Sequence, residues 1–157
     1  MEEKNSTISR QLMKLGLLLA TLLTARIAAA DILPTPSHIT HREGVFVLDS
    51  ATTITFDPRL GQLAAYLGER LGLPCDAARS SDRALVLRLD EGYAPEAYVL
   101  RILPSRIEIE AGDTGGVFNG MQSLFQLLPP EVYARTPDYP VRLGCCEIAD
   151  APRYAYR

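Results

Sequence analysis

Apolar residues recur along this chain with two different periods, and the switch between them marks the elements. Leu60, Leu63, Ala64, Leu67 and Leu71 repeat at helical spacing. Asp57-Pro58 precedes them as an N-cap acceptor followed by Pro in the first turn, and Gly72 and Pro74 stop them, so a helix is predicted over 58–71. Its other face carries Gln62, Glu69 and Arg70, so it covers the core on one side only. A second stripe, Val117, Phe118, Met121, Leu124, Phe125 and Leu128, follows the start signal Asp113-Thr114-Gly115-Gly116 and ends at Pro129-Pro130. Gly116 and Gly120 are four apart on that helix, which lets one face approach a sheet closely. Gln122 and Gln126 form another four-apart pair, suited to bonding an edge or a neighbouring domain, or simply solvated.

Period-two alternation fills the intervals. Val45–Leu48, Thr52–Phe56, Ala84–Leu89, 97–102, 106–110 and 141–148 read as strands, with Pro104-Ser105 turning 97–102 onto 106–110. The alternation implies a sheet with one wet face. Residues 32–37, punctuated by Pro34 and Pro36, read as an extended lead-in. The expected fold class is α+β. It has two layers: a mostly antiparallel sheet of five to six strands, with three sequential antiparallel pairs, and two amphipathic helices packed on one face.

The first thirty residues follow another logic. Lys4, Arg10 and Lys14 make a basic region, Leu15–Leu23 an apolar run, and Ala28-Ala29-Ala30 a small-residue cleavage site, which is the order of a secretory signal. The apolar run is too short to span a bilayer, which takes about 20 residues, so no stable membrane span is expected after cleavage. The expected organisation is a signal peptide at 1–30, an α+β domain at 31–150 and a junction at 151–157. Removing the signal takes away four of 16 bases and two of 19 acids, leaving 12 against 17, a net −5. All remaining bases are Arg. A mildly acidic, Lys-free domain has no electrostatic footprint for nucleic acid or anionic lipid.

Candidate chemistry is sparse. Asp90-Glu91, the one adjacent acidic pair after the signal, precedes Gly92 and reads as a turn. His38 and His41 could share a face only on a helix, and a metal needs three or four protein ligands. Ser50, Ser80, Ser81 and Ser105 lack nucleophile-elbow glycines. Gly115-Gly116 reads as capping rather than as an anion cradle. Cys75, Cys145 and Cys146 are either buried small side chains or, in an oxidising compartment, a disulfide from Cys75 to Cys145 or Cys146 with one thiol left over. No catalytic, cofactor-binding or metal residue is expected in this chain, and no cofactor.

Several segments resemble one family. Glu96-Ala97-Tyr98-Val99-Leu100 leads into the strand pair. Gly116-Val117-Phe118-Asn119-Gly120-Met121-Gln122-Ser123-Leu124-Phe125-Gln126-Leu127-Leu128-Pro129 follows, and the chain closes on Ile148-Ala149-Asp150-Ala151-Pro152-Arg153-Tyr154-Ala155-Tyr156-Arg157. In this order they are similar to the non-catalytic N-terminal domain of glycoside hydrolase family 20 β-N-acetylhexosaminidases, as is the opening Ile32-Leu33-Pro34-Thr35-Pro36. The resemblance implies an accessory domain whose partner is a catalytic (β/α)8 barrel, in cis in the parent enzyme or in trans. That barrel would carry the family's Asp-Glu pair, be absent from this chain, and release terminal N-acetyl-hexosamine. The signal order of residues 1–30 implies export to the periplasm or outside. The chain alone is then expected to be inactive, with an apolar patch around Leu143, Ile148, Tyr154 and Tyr156 where a barrel would pack. Two alternatives remain: a stand-alone exported module binding glycan or protein, which the seven Tyr permit and the absence of Trp weakens, and an independent small hydrolase.

Overall fold

The computed structural model describes residues 32–77, 83–133 and 139–152. The signal segment lies outside them, as do Ser80, Ser81, Tyr154 and Tyr156. Among the described residues six strands form one sheet: β1 (His38–Leu48), β2 (Thr53–Phe56), β3 (Ala84–Leu89), β4 (Tyr98–Ile102), β5 (Arg106–Ala111) and β6 (Val141–Asp150). The described residues also form two α-helices, α1 (Gly61–Leu71), entered through a 3₁₀ turn at Pro58–Leu60, and α2 (Thr114–Leu127). A further 3₁₀ turn spans Pro130–Tyr133.

The strand order is β1-β6-β4-β5-β3-β2. Three neighbouring pairs are antiparallel, β1/β6, β6/β4 and β4/β5, and two are parallel, β5/β3 and β3/β2. The fold is thus the expected α+β type, but its connectivity departs from three sequential antiparallel pairs. Only β4 and β5 form a hairpin. β1 and β2, consecutive in sequence, occupy opposite edges of the sheet. The Asp49-Ser50 turn does not fold them together, because α1 serves as the crossover of a parallel β2–β3 unit. β1 also starts earlier than Val45. His38–His41 already pair with Cys146–Ala149, and the register slips between His41 and Val45 around Gly44, whose φ is +114°. That slip is a bulge built on a glycine.

The core lies between the sheet and the helices. One row of partners crosses the sheet through Ile54, Leu85, Ile107, Ile102 and Cys146, and a second through Leu87, Ile109, Leu100, Ile148 and Ile39. Ala64, Leu67 and Leu71 of α1, and Val117, Met121 and Leu124 of α2, are fully buried against these rows. Asp113 caps α2 through its Oδ1, which accepts from the Gly116 N–H at 2.8 Å, while Oδ2 accepts from the Glu96 N–H at 3.0 Å. Gly116 and Gly120 do permit the close approach expected of them. A Cβ on Gly116 would fall 2.8 Å from Ala111 Cβ, and one on Gly120 would fall 2.6 Å from Ile109 Cγ2.

Two expectations are corrected here. A disulfide from Cys75 to Cys145 or Cys146 is excluded. Cys75 bridges Ile54 on β2, whereas Cys145 and Cys146 sit on β6, four strands away. Cys75 itself lies one position beyond β2, so at about 4.8 Å per strand it is roughly 24 Å from β6, far beyond the reach of about 7 Å between Cα atoms. All three thiols are free. Nor do Leu143 and Ile148 form an apolar patch: they are 4% and 0% exposed, sealed into the core.

Candidate functional site

The two faces of the domain differ chemically. The helix-free face of the sheet is covered by ion pairs running from strand to strand. Arg42 pairs with Glu147 at 3.1 Å, Glu147 with Arg101 at 3.2 Å, Arg101 with Glu110, and Glu110 with Arg88 at 3.9 Å. Arg106 Nε donates to the buried Glu108 at 2.6 Å. These groups satisfy one another across β1, β6, β4, β5 and β3. A face so neutralised can stay wetted without a partner, because each buried or half-buried carboxylate already has its cation.

The helical face instead carries exposed aromatic side chains. Tyr66, Phe118 and Tyr133 are 38%, 42% and 36% exposed. Tyr66 packs edge-on against Phe125 with ring centroids 6.2 Å apart, and Phe125 against Tyr133 at 6.0 Å. The Tyr133 hydroxyl donates to the Phe125 carbonyl at 2.6 Å, which fixes the ring. Burial pushes that hydroxyl up to about 12, with the Arg70 charge opposing the rise. Arg70 lies over both rings, 6.0 Å from the Phe125 centroid and 5.8 Å from that of Tyr133.

The lead-in, α2 and the end of β6 enclose a groove of about 560 Å³. Its walls are Leu33, Glu96, Asn119, Gln122, Gln126 and Asp150, among others. Gln126 pairs with the backbone of Leu33, accepting from its N–H at 2.8 Å and donating to its carbonyl at 3.0 Å. Asp150 Oδ1 accepts from both the N–H (3.0 Å) and the hydroxyl (2.8 Å) of Ser37. At the floor, the Tyr98 hydroxyl meets Ser123 Oγ at 2.6 Å. Thus Gln126 ties the lead-in to α2, which favours the bonding alternative over the solvated one at that position, while Gln122 lines the groove.

The remaining candidates are dispersed. Asp90 builds a turn, its Oδ1 accepting from the Gly92 N–H at 2.9 Å. His38 and His41 lie in β1 rather than in a lead-in, and residues three apart on a strand point to opposite faces. His38 Nε2 instead meets Thr40 Oγ1 at 2.9 Å. Cys145 and Cys146 are buried, and burial holds both thiols above their ordinary value, Cys146 at about 11, so neither is a nucleophile near neutrality. Among the described residues no group of three metal-ligating side chains gathers, and no helix is long and apolar enough to cross a membrane. The aromatic cluster went unread in the sequence. Its signal was Tyr66 and Arg70, four apart and therefore stacked on one stripe of α1.

Comparison with known proteins agrees with this architecture. The family model described as glycosyl hydrolase family 20, domain 2, matches residues 29–151. The chain is 30% identical over 138 residues to the β-hexosaminidase of Porphyromonas gingivalis, covering 81% of this chain and 18% of that protein. Among solved structures, it is similar to the GH20 β-N-acetylhexosaminidase of Streptomyces coelicolor (TM-score 0.74, 28% identity, 82% of this chain and 28% of that one). It is also similar to the Vibrio harveyi GH20 exo-β-N-acetylglucosaminidase (TM-score 0.66, 26% identity, 82% of this chain and 20% of that one). The chain therefore spans less than a third of the length of each of these relatives, and it belongs to glycosyl hydrolase family 20, of which it carries domain 2.

Proposed function

We propose that this chain is the accessory, non-catalytic domain of an exported β-N-acetylhexosaminidase. Its helical face rests on a catalytic barrel that releases terminal N-acetyl-hexosamine. The observation that carries the reading is the contrast between the two faces, within a chain matched to domain 2 over residues 29–151. The sheet face satisfies its own charges, while the helical face exposes Tyr66, Phe118 and Tyr133. Exposed aromatic residues beside an Arg are the composition of an interface core. The basic, apolar and small-residue order of residues 1–30 supports export to the periplasm or beyond. Residues 31–150 then form the domain and 151–157 the junction to the barrel. The substrate class is suggested by the relatives, one of which is described as binding N-acetylglucosamine.

Assay of the purified chain on a chromogenic N-acetylglucosaminide tests the non-catalytic part: no turnover is expected. Turnover abolished by a point substitution within 32–152 would overturn it. A second reading, a glycan-binding module, draws on the polar groove at Gln122 and Asp150. It requires saturable binding of N-acetylglucosamine oligosaccharides by the chain alone.

A further inference from the structure

Among the described arginines, Arg70 is held differently from most. Arg42, Arg59, Arg83, Arg88, Arg101 and Arg106 each have a carboxylate within 4.0 Å. Arg70 has none among the described residues; it is exposed and rests on the Phe125 and Tyr133 rings at 6.0 and 5.8 Å. No carboxylate among the described residues takes up its donors, and contact with the two rings leaves it less rotamer freedom to lose on pairing. The platform is fixed in turn. Tyr133 donates to the Phe125 carbonyl, and Tyr66 braces Phe125 edge-on.

We infer that Arg70 is the anchor of the interdomain contact and that its complement is a carboxylate on the catalytic part of the enzyme, seated within the Tyr66–Phe125–Tyr133 surround. This rests on the accessory-domain reading above. Two facts choose the occupant. The matched relatives are more than three times as long as the matched region, so the chain next to this domain in them is the remainder of the same enzyme. The cluster also offers an uncompensated positive charge within aromatic surface, which suits a carboxylate on a partly apolar partner and not a basic one. An Arg with Tyr neighbours, ringed by contacts that exclude water, is the usual make-up of an energetic hot spot.

The test uses a hybrid enzyme, in which residues 32–152 replace the matched segment of the Porphyromonas gingivalis β-hexosaminidase, alongside the present chain. Arg70→Ala, Arg70→Glu and, as a control on the opposite face, Arg42→Ala are made in both. The readout is the rate of proteolytic cleavage within the domain at a fixed temperature, which follows the population of the opened form. In the hybrid, Arg70→Ala should speed cleavage about tenfold and Arg70→Glu more, as loss of a hot-spot arginine implies. In the chain alone both should change it by less than about threefold, the scale of an exposed side chain. Arg42→Ala should leave the hybrid near its starting rate. If Arg70 and Arg42 variants behave alike in a hybrid whose domain is protected relative to the chain alone, the Arg70 anchor is wrong while the accessory reading stands. If the unsubstituted hybrid protects the domain no better than the chain alone, both are wrong.

Discussion

Replacing Gly116 with Ala sets two effects of known sign against each other. Ala is the better helix former, and in an exposed helix interior the exchange would stabilise by about 1 kcal/mol. At Gly116 the new methyl has no room. A Cβ there falls under 3.0 Å from the Ala97 carbonyl oxygen and 2.8 Å from Ala111 Cβ. One obstacle is backbone and the other a Cβ fixed to a central strand, so no rotamer change relieves the contact. α2 must lift from the β4–β5 hairpin, loosening Val117, Gly120 and Met121 behind it. Overpacking of this kind costs about 1–3 kcal/mol; here the upper half applies, because the yielding atoms are backbone. The net expectation is a loss of about 1–2 kcal/mol, or about 4–8 °C in Tm for a domain of this size. Gly61→Ala is the internal control. The nearest atom to a Cβ there is Phe56 Cε2 at 3.8 Å, an ordinary contact. It should raise stability by about 0.5 kcal/mol through helix propensity and a stiffer unfolded chain. Urea unfolding followed by circular dichroism, with thermal melts, reads both variants. A Gly116→Ala chain as stable as the parent would refute the close helix–sheet contact.

Other perturbations act on separate elements. Asp113→Ala removes both the α2 cap and the acceptor for the Glu96 N–H, and should cost about 2 kcal/mol in urea unfolding, with Asp113→Asn milder. The side-chain hydrogen bond from Arg59 holds the Asp57 carboxyl down at about 2 from its ordinary 3.8. Its contribution is therefore complete above pH 3.8 and lost as pH falls toward 2. In acid-unfolding curves the gap between the parent and Asp57→Asn should narrow across that window; a gap independent of pH would contradict the pairing. Thiol titration of the unfolded chain without reductant should find all three cysteines free, and reductant should leave Tm unchanged; fewer free thiols would contradict the free state of Cys75, Cys145 and Cys146.

What could be read in advance was what single elements dictate. Leu60, Leu63, Ala64, Leu67 and Leu71 announce α1, and Asp113 with Gly116 announces the start of α2. Alternation in Tyr98–Ile102 and Arg106–Ala111 announces the hairpin, because its partners are adjacent in sequence. Pairing between distant segments was not legible. His38 meets Ala149 and Leu48 meets Val141, and nothing in the period of β1 says whether its neighbour is β2 or β6. Periodicity reports which face a residue occupies, not which strand lies beside it. The same limit explains Leu143 and Ile148, whose alternation fits either a core or an exposed apolar face. Likewise Arg70 sits on the polar side of its own helix. Only the arrival of Phe125 from α2 and Tyr133 from the turn after it makes a site there.

Hydroxyl-radical footprinting of the hybrid enzyme against the free chain tests the docking of the helical face most directly, because it reports side-chain exposure residue by residue. Oxidation of Tyr66, Phe118 and Tyr133, each more than a third exposed in the free domain, should fall sharply in the hybrid, while Val86 and Val99 on the ion-paired sheet face keep their free-chain rates. Unchanged oxidation of the three aromatic residues, or protection confined to the sheet face, would contradict the account.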